Sequence, residues 1–262
     1  MEQDLERRGK VYICGAGPGN PDLLTIKANR LLQVCDIILY DRLVSKEILN
    51  LAQNNVQKIY VGRNSGDPVT NQGKTNSLMV KFAKAGKKIL RLKGGDPFIF
   101  GRGGEEAEFL SSNKIEFEIV PGIPSFSAAA VYAGIPLTHR KFSSSLAVVT
   151  GHENPKKGQS SVRWKKLANS VDTIVVLMGI EHIDTITKQL IRGGLGAKTG
   201  VGLVENATTS KQRVILGKLD NIAMQAKKHE VGPPTIIIIG KVVNLVRKSK
   251  NLVPKSTSFI LI

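Results

Sequence analysis

Arg91-Leu92-Lys93-Gly94-Gly95-Asp96-Pro97-Phe98-Ile99-Phe100-Gly101-Arg102-Gly103-Gly104-Glu105-Glu106 changes structure within one short stretch. The apolar run ending at Leu92 reads as a β-strand, the paired glycines with Asp96 and Pro97 break it, and after more glycine the acids Glu105 and Glu106 open a helix. A strand-to-helix loop this rich in glycine brings bare backbone close to a ligand, because no Cβ blocks the approach. Asp96, at the strand end, can accept hydrogen bonds from a sugar hydroxyl or an amine. Arg91, Lys93 and Arg102 are expected to surround the same mouth. The stretch therefore indicates an α/β fold and a candidate active site together.

Upstream, Lys10-Val11-Tyr12-Ile13-Cys14 is a strand feeding Gly15-Ala16-Gly17-Pro18-Gly19, followed by a helix from Leu23 to Val34 with Leu24, Ala28, Leu31 and Leu32 on one face. G-x-G after a first strand invites a dinucleotide reading, which the residues argue against. The third glycine of that fingerprint falls on Asn20, Pro18 lacks a donor for a pyrophosphate, and Asp22 puts a carboxylate at the helix start. A second strand over 36–40 delivers Asp41-Arg42, and a third over 56–61 ends at Gly62-Arg63. Open α/β sheets bind ligands outside the carboxyl ends of their strands, which makes these residues site candidates. Residues 64–75 read as a mobile polar loop, and 76–85 as an amphipathic helix stopped by Gly86 before a strand over 88–92.

Downstream, a helix over 105–110 and a strand over 116–120 lead to Pro121-Gly122-Ile123-Pro124, the expected domain boundary. An apolar helix over 125–133 follows, with Ser125 as candidate N-cap and Gly134 as C-cap, then an extended connector carrying Arg140. A second α/β series has strands at 146–150, 173–177, 200–204, 212–216 and 235–240, the last extended by 241–246, and helices at 183–191 and 219–227. Residues 153–163 read as a flexible lysine-rich loop and 247–262 as a basic tail, disordered or paired as a sheet edge. The expected organisation is two open α/β domains, 10–120 and 121–246, with 121–143 as connector.

The 262 residues suffice for two such cores. A formal charge of +17 favours anionic partners: nucleic acid, a membrane surface or a polyanionic small molecule. The cations are spread over the whole length, however, and solvated surface lysines give the same balance. No apolar run approaches the ~20 residues of a membrane span, and the charged N-terminus is not a secretory signal, so a cytoplasmic protein is expected. Cys14 and Cys35 form no CxxC pair, and His139, His152, His182 and His229 are scattered. Buried thiols and no metal are expected.

Several of these segments coincide with one known pattern. Val11 to Gly19, Tyr40-Asp41-Arg42-Leu43-Val44, Arg91 to Glu106, Val120-Pro121-Gly122, Ala133 to Arg140, Val149-Thr150-Gly151-His152 and Val204-Glu205-Asn206 resemble the tetrapyrrole (class III) S-adenosylmethionine methyltransferases, over about residues 10–246. Within that family they resemble the uroporphyrinogen-III C-methyltransferases. The resemblance implies transfer of two methyl groups, to C2 and C7, giving precorrin-2 for sirohaem- or cobalamin-type synthesis. It also implies an inter-domain active-site cleft and a homodimer, with neither membrane nor nucleic acid as partner. In some relatives the domain is fused to a dehydrogenase/ferrochelatase module; only a short charged arm precedes Lys10, so that activity is expected to be absent.

Carried over residue by residue, the resemblance implies Asp41 as proton acceptor, with Arg63 and Arg102 beside it in catalysis. Arg42, Glu105 and Arg140 would bind substrate, and Pro18, Gly94, Gly95, Asp96, Ile99, Ser125, Met178 and Ala207 would contact S-adenosylmethionine. Against these readings stand a loop-capping role for Asp96, core packing for Met178 and a helix-start acid for Glu105. Arg63 replaces a lysine taken as proton donor in many relatives, and a guanidinium, with a pKa above ~12, suits carboxylate anchoring better. Pro124-Ser125 replaces a Thr-Ala pair, and Ala207 a glycine. A substrate with eight carboxylates needs arginines, and its electron-rich pyrrole carbon is itself the nucleophile. The absence of a Ser-His-Asp or Cys-His constellation fits that chemistry. Two other readings stay open: a later precorrin methyltransferase or diphthine synthase, and a basic RNA-binding or RNA-methylating protein. Low aromatic content argues against the second.

Overall fold

Strands β1 (Lys10–Gly15), β2 (Ile37–Tyr40), β3 (Gln57–Tyr60), β4 (Lys88–Lys93) and β5 (Glu116–Val120) form a sheet of order β3-β2-β4-β1-β5 in which every pairing is parallel. The computed structural model describes residues 9–62, 71–151, 162–248 and 258–261. The chain divides into two compact units between Ser125 and Phe126.

In the first unit, helices cover both faces of the sheet, so its strands are apolar on both sides. On one face α1 (Ile26–Leu32) and α2 (Lys46–Asn50) pack Leu32 and Ile48 against Ile38, Leu90 and Leu92. On the other, α3 (Asn71–Lys84) and α4 (Gly103–Ser112) pack Met79 and Leu110 against Val11, Ile13, Leu39 and Ile89. Cys14 and Cys35 lie buried in the first of these cores, which pushes both thiols up to about 12.

Local capping sets element boundaries that the apolar pattern misses. The helix expected over 23–34 is a 3-10 turn, Pro21–Leu23, followed by α1, because the Thr25 hydroxyl accepts the Ala28 N–H (3.2 Å) and holds Thr25 extended. Ser45 caps α2 in the same way, at Ile48 N (3.3 Å), and that helix was not anticipated. Helix α3 begins at Asn71, inside the stretch read as loop; Arg63 and the rest of that loop, 64–70, lie outside the described residues.

The second unit has a mixed sheet of order β11-β9-β8-β10-β7-β6. Its strands are β6 (Leu146–Thr150), β7 (Thr173–Leu177), β8 (Gly200–Glu205), β9 (Arg213–Lys218), β10 (Thr235–Gly240) and β11 (Ser258–Leu261). The β6–β7 and β9–β11 pairings are parallel and the others antiparallel. Helices α6 (Trp164–Leu167), α7 (Ile183–Arg192) and α8 (Ile222–Lys228) bury Trp164, Leu190 and Ile222 against Ile174, Val176 and Leu203. The opposite face carries α5 (Ser125–Tyr132) and α9 (Val243–Lys248), with Ala129, Ala130, Val243 and Val246 against Val175, Val204 and Ile238. Ser125 is the first residue of α5 and not its cap.

The strand expected to continue through 241–246 is instead α9. Gly240 adopts φ +154°, where a Cβ would lie 2.8 Å from the Asp172 carbonyl oxygen, so β10 ends there. Val242, Val243 and Val246 then bury themselves at helical spacing. Of the two fates expected for the tail, its described part shows edge pairing, since β11 adds to β9. Most of the lysine-rich loop, 152–161 with His152, and tail residues 249–257 fall outside the described residues. Among the described residues no helix is long and apolar enough to cross a membrane.

Candidate active site

Because β1 to β5 are parallel, all their carboxyl ends meet at one edge of the first unit's sheet. Three of those ends are fused by backbone contact. A Cβ on Gly122 would lie 2.3 Å, and one on Gly15 2.5 Å, from the Gly95 carbonyl oxygen. Gly17 and Gly95 also exchange two backbone hydrogen bonds, of 3.1 and 2.7 Å. Further along the loop, a Cβ on Gly94 would meet Leu43 Cβ at 2.8 Å and one on Gly103 the Pro97 carbonyl at 2.5 Å. Close packing of the chain on itself therefore calls for glycine at positions 15, 94, 103 and 122, while a Cβ on Gly104 would meet nothing within 4 Å.

Asp96 behaves as the loop-capping alternative describes: Oδ1 accepts the Phe98 N–H (2.8 Å) and Oδ2 the Gly122 N–H (3.1 Å). Around it Leu43, Phe98, Ile99 and Phe100 are exposed, Phe100 with φ +52°. Pro18, in the β1 exit, is half-buried.

Arg91 and Lys93 are not at the mouth. They alternate with Leu92 and share the face of Ile89, which the helices α3 and α4 cover, and both side chains are buried. Arg91 spreads its guanidinium between two carboxylates, with Nη2 2.7 Å from Asp41 Oδ1 and Nε 2.9 Å from Glu106 Oε1. Lys93 Nζ is 3.1 Å from Glu106 and 3.7 Å from Asp41 Oδ2. Gln72 of α3 donates to Glu106 Oε1 at 3.1 Å. Burial opposes the Arg91 charge, but Glu106 and Asp41 outweigh it and raise its pKa. For Lys93, burial and then the repulsion of Arg91 prevail, and its pKa is lowered against the pull of the same carboxylates.

At the start of α4, the N-cap residue Arg102 and Glu105 form a second, exposed pair. Arg102 Nε and Nη2 lie 3.0 and 2.5 Å from the two Glu105 oxygens. That hydrogen bond raises the Arg102 pKa and lowers that of Glu105. Arg102 holds φ +61°, an uncommon conformation for a residue with a side chain, and one that clusters at functional sites. Arg42 is exposed just after β2.

In the second unit, Met178 and Ala207 follow β7 and β8, whose carboxyl ends share an edge because both run antiparallel to β10. Met178 has φ +55° and is 51% exposed, which overturns its core-packing alternative. Asn206 and Thr208, on either side of the half-buried Ala207, are also left-handed, with φ +47° and +68°. Glu205 anchors this turn by accepting from Arg213 Nε and from Gly232 N (2.9 Å). Arg140 is exposed in the 139–143 turn, whose Ser143 hydroxyl meets Thr173 at the start of β7 (2.8 Å). It is therefore at the opposite sheet edge from Met178 and Ala207.

The fold thus gathers Asp41, Arg42, Gly94, Gly95, Asp96, Ile99, Arg102, Glu105 and Pro18 at one edge, with Ser125 after β5. Sequence reasoning missed the role of Glu106, which is 0% exposed. The alternation Ile89-x-Arg91-x-Lys93 held the signal, since two cations on a helix-covered face require buried acids. Among the described residues no group of three or more His, Cys, Asp or Glu could hold a metal ion.

The family model of the Tetrapyrrole (Corrin/Porphyrin) Methylases matches residues 10–223. The siroheme synthase of Pseudomonas fluorescens (strain SBW25) is 48% identical over 242 residues, 92% of this chain and 52% of that protein. The chain spans about half the length of the curated relatives it matches. The native uroporphyrin III C-methyl transferase of Thermus thermophilus is 40% identical with a TM-score of 0.78, covering 90% of this chain and 100% of that one. The Thermus protein complexed with S-adenyl homocysteine gives the same identity and TM-score, over 90% of this chain and 94% of that one. A cobalt precorrin-4 methyltransferase is 26% identical with a TM-score of 0.80, covering 89% and 95%.

Proposed function

This chain belongs to the tetrapyrrole methylase family, and from that premise we propose that it uses S-adenosylmethionine to methylate uroporphyrinogen III at two ring carbons, C2 and C7, giving precorrin-2. The observation that carries this reading is the match, at 40% identity and over its whole length, to the Thermus uroporphyrin III C-methyl transferase. The Thermus complex with S-adenyl homocysteine supports the choice of methyl donor.

The residues present fit such a donor. In the first unit Ile99, in the loop after β4, is an apolar side chain left 39% exposed, suited to an apolar part of the donor. S-adenosylmethionine, when bound, supplies an electrophilic methyl group. The protein's own part is to bind, orient and remove a proton. In the first unit Arg42 and Arg102 are exposed guanidiniums that can each take a substrate carboxylate in bidentate fashion. Asp41 is the proton acceptor in this reading: its side chain is 28% exposed, with Oδ1 fixed by Arg91. Asp96 holds the loop through Phe98 and Gly122 and so keeps Gly94, Gly95 and Ile99 in place for the donor.

The test is anaerobic incubation with S-adenosylmethionine and enzymatically made uroporphyrinogen III, followed by mass and absorbance of the product. A gain of two methyl groups is expected. No gain on uroporphyrinogen III, with methylation of a later precorrin or of RNA, would overturn the assignment.

A further inference from the structure

We infer that Arg91, Lys93 and Glu106 are positioning residues that fix the Asp41 carboxylate for proton removal, and that Glu106 sets the balance by competing with Asp41 for the two cations. The inference rests on the reading of Asp41 as proton acceptor and adds what holds it there.

The cluster contains two cations and two carboxylates, and three of the four are nearly sealed, with side-chain exposures of 4% for Arg91, 3% for Lys93 and 0% for Glu106. Only Asp41 reaches solvent, at 28%. Buried ion pairs are a poor route to stability, since well-packed apolar side chains of similar volume do as well or better. This one is not even fully satisfied: Glu106 Oε2 is buried and lacks a partner of hydrogen-bonding geometry, although Lys93 Nζ is 3.1 Å away. A group of this kind at the exits of β2 and β4, beneath a candidate proton acceptor, points to orientation as its use.

The geometry says how. Arg91 bridges the carboxylates as a rigid fork, so a shift at Glu106 is transmitted to Asp41 Oδ1. Lys93 is nearer to Glu106 than to Asp41, 3.1 against 3.7 Å. Remove the Glu106 charge, and both buried cations have Asp41 as their remaining partner. The carboxylate is then drawn inward, away from the edge where substrate would meet it. Glu106 has no exposed surface, and the groups that link it to Asp41 are Arg91 and Lys93.

A double-mutant cycle on the full chain tests this. Glu106→Gln keeps the shape and the Gln72 contact but removes the charge. It is expected to lower kcat by about tenfold or more while KM for uroporphyrinogen III and affinity for S-adenosylhomocysteine change less than about threefold. In an Asp41→Asn background the same substitution is expected to change kcat by less than about twofold, because there is no longer a carboxylate to place. Should Glu106→Gln not fold, the charge-balanced pair Lys93→Met with Glu106→Gln takes its place; with Arg91 alone drawing on Asp41, a smaller loss of kcat is expected, again absent in the Asp41→Asn background. If the losses multiply in the combined variant, the cluster is merely structural and the inference is wrong. If Asp41→Asn alone turns over at the wild-type rate, the acceptor reading fails first and the frame has nothing to hold.

Discussion

Glu105 and Glu106 are neighbours on α4, each faces an arginine, and the two pairs behave as different chemistry. Arg102 and Glu105 are 50% and 57% exposed; Arg91 and Glu106 are 4% and 0% exposed. Water screens the first pair and competes for both partners, so it contributes roughly 0–1 kcal/mol and can open to admit another carboxylate. Water does not reach the second, and its geometry is fixed by the neighbouring Lys93 and Asp41. Consecutive residues on a helix point about 100° apart, enough to put one acid in solvent and the next under a sheet. Glu205 and Arg213 lie between the extremes, at 7% and 37%. Environment, and not residue type, divides replaceable pairs from structural ones.

The strongest way to break this ranking is Glu106→Ala. It leaves Arg91 and Lys93 as buried cations short of a partner and is expected to cost about 3–5 kcal/mol, read as a lower urea midpoint. A loss below about 1 kcal/mol would mean that water reaches the cluster and that the contrast with Glu105 is illusory.

Glu205→Gln tests the middle of the scale. Burial alone would raise the Glu205 pKa, but the Arg213 hydrogen bond and the Gly232 N–H outweigh it and hold the carboxyl below its ordinary value. A depressed pKa gives stability that is fully present above the unfolded value, near 4.5, and is lost as pH falls through the folded one. The substitution should therefore cost about 1–3 kcal/mol at pH 7. The difference from wild type should shrink progressively as urea melts are taken further below the unfolded value. A difference independent of pH would place the effect in packing.

The smallest change in stability is expected for Arg102→Ala, within about 0.5 kcal/mol. Its consequence should appear in function, as a severe loss of uroporphyrinogen III turnover with S-adenosylhomocysteine affinity nearly intact in calorimetry. Normal kinetics in this variant would remove Arg102 from the substrate site.

The parts of the fold that follow from apolar periodicity were legible in the sequence. All five strands of the first unit were: β1, β2 and β4 are apolar runs ended by glycine or a polar pair, and β3 and β5 are mixed stretches stopped before Gly62 and Pro121. What escaped was decided by side chains reaching the backbone or by packing at a distance. Thr25 and Ser45 place helix starts through single hydroxyl hydrogen bonds. Val242-Val243 looks like strand and becomes helix because Gly240 turns the chain. The glycines of the 94–104 loop were rightly singled out, but the apolar pattern does not show that Gly94 lies against Leu43, or that Gly101 and Gly103 lie against the Pro97 carbonyl. Arg91 and Lys93 were taken for mouth residues because a charge is presumed exposed, whereas strand alternation already set them beside Ile89.

The two hydrogen bonds between Gly17 and Gly95 have a consequence for energetics at the site. They tie the β1 exit to the β4 exit before any small molecule arrives. Closing a flexible loop around a guest costs entropy at the moment of association, and that cost lowers affinity. Here the ordering is completed during folding at the root of the loop, and the Gly103 N–H bond to the Pro97 carbonyl (3.0 Å) extends it beyond Asp96. A scaffold arranged in this way presents its guest with a surface already set.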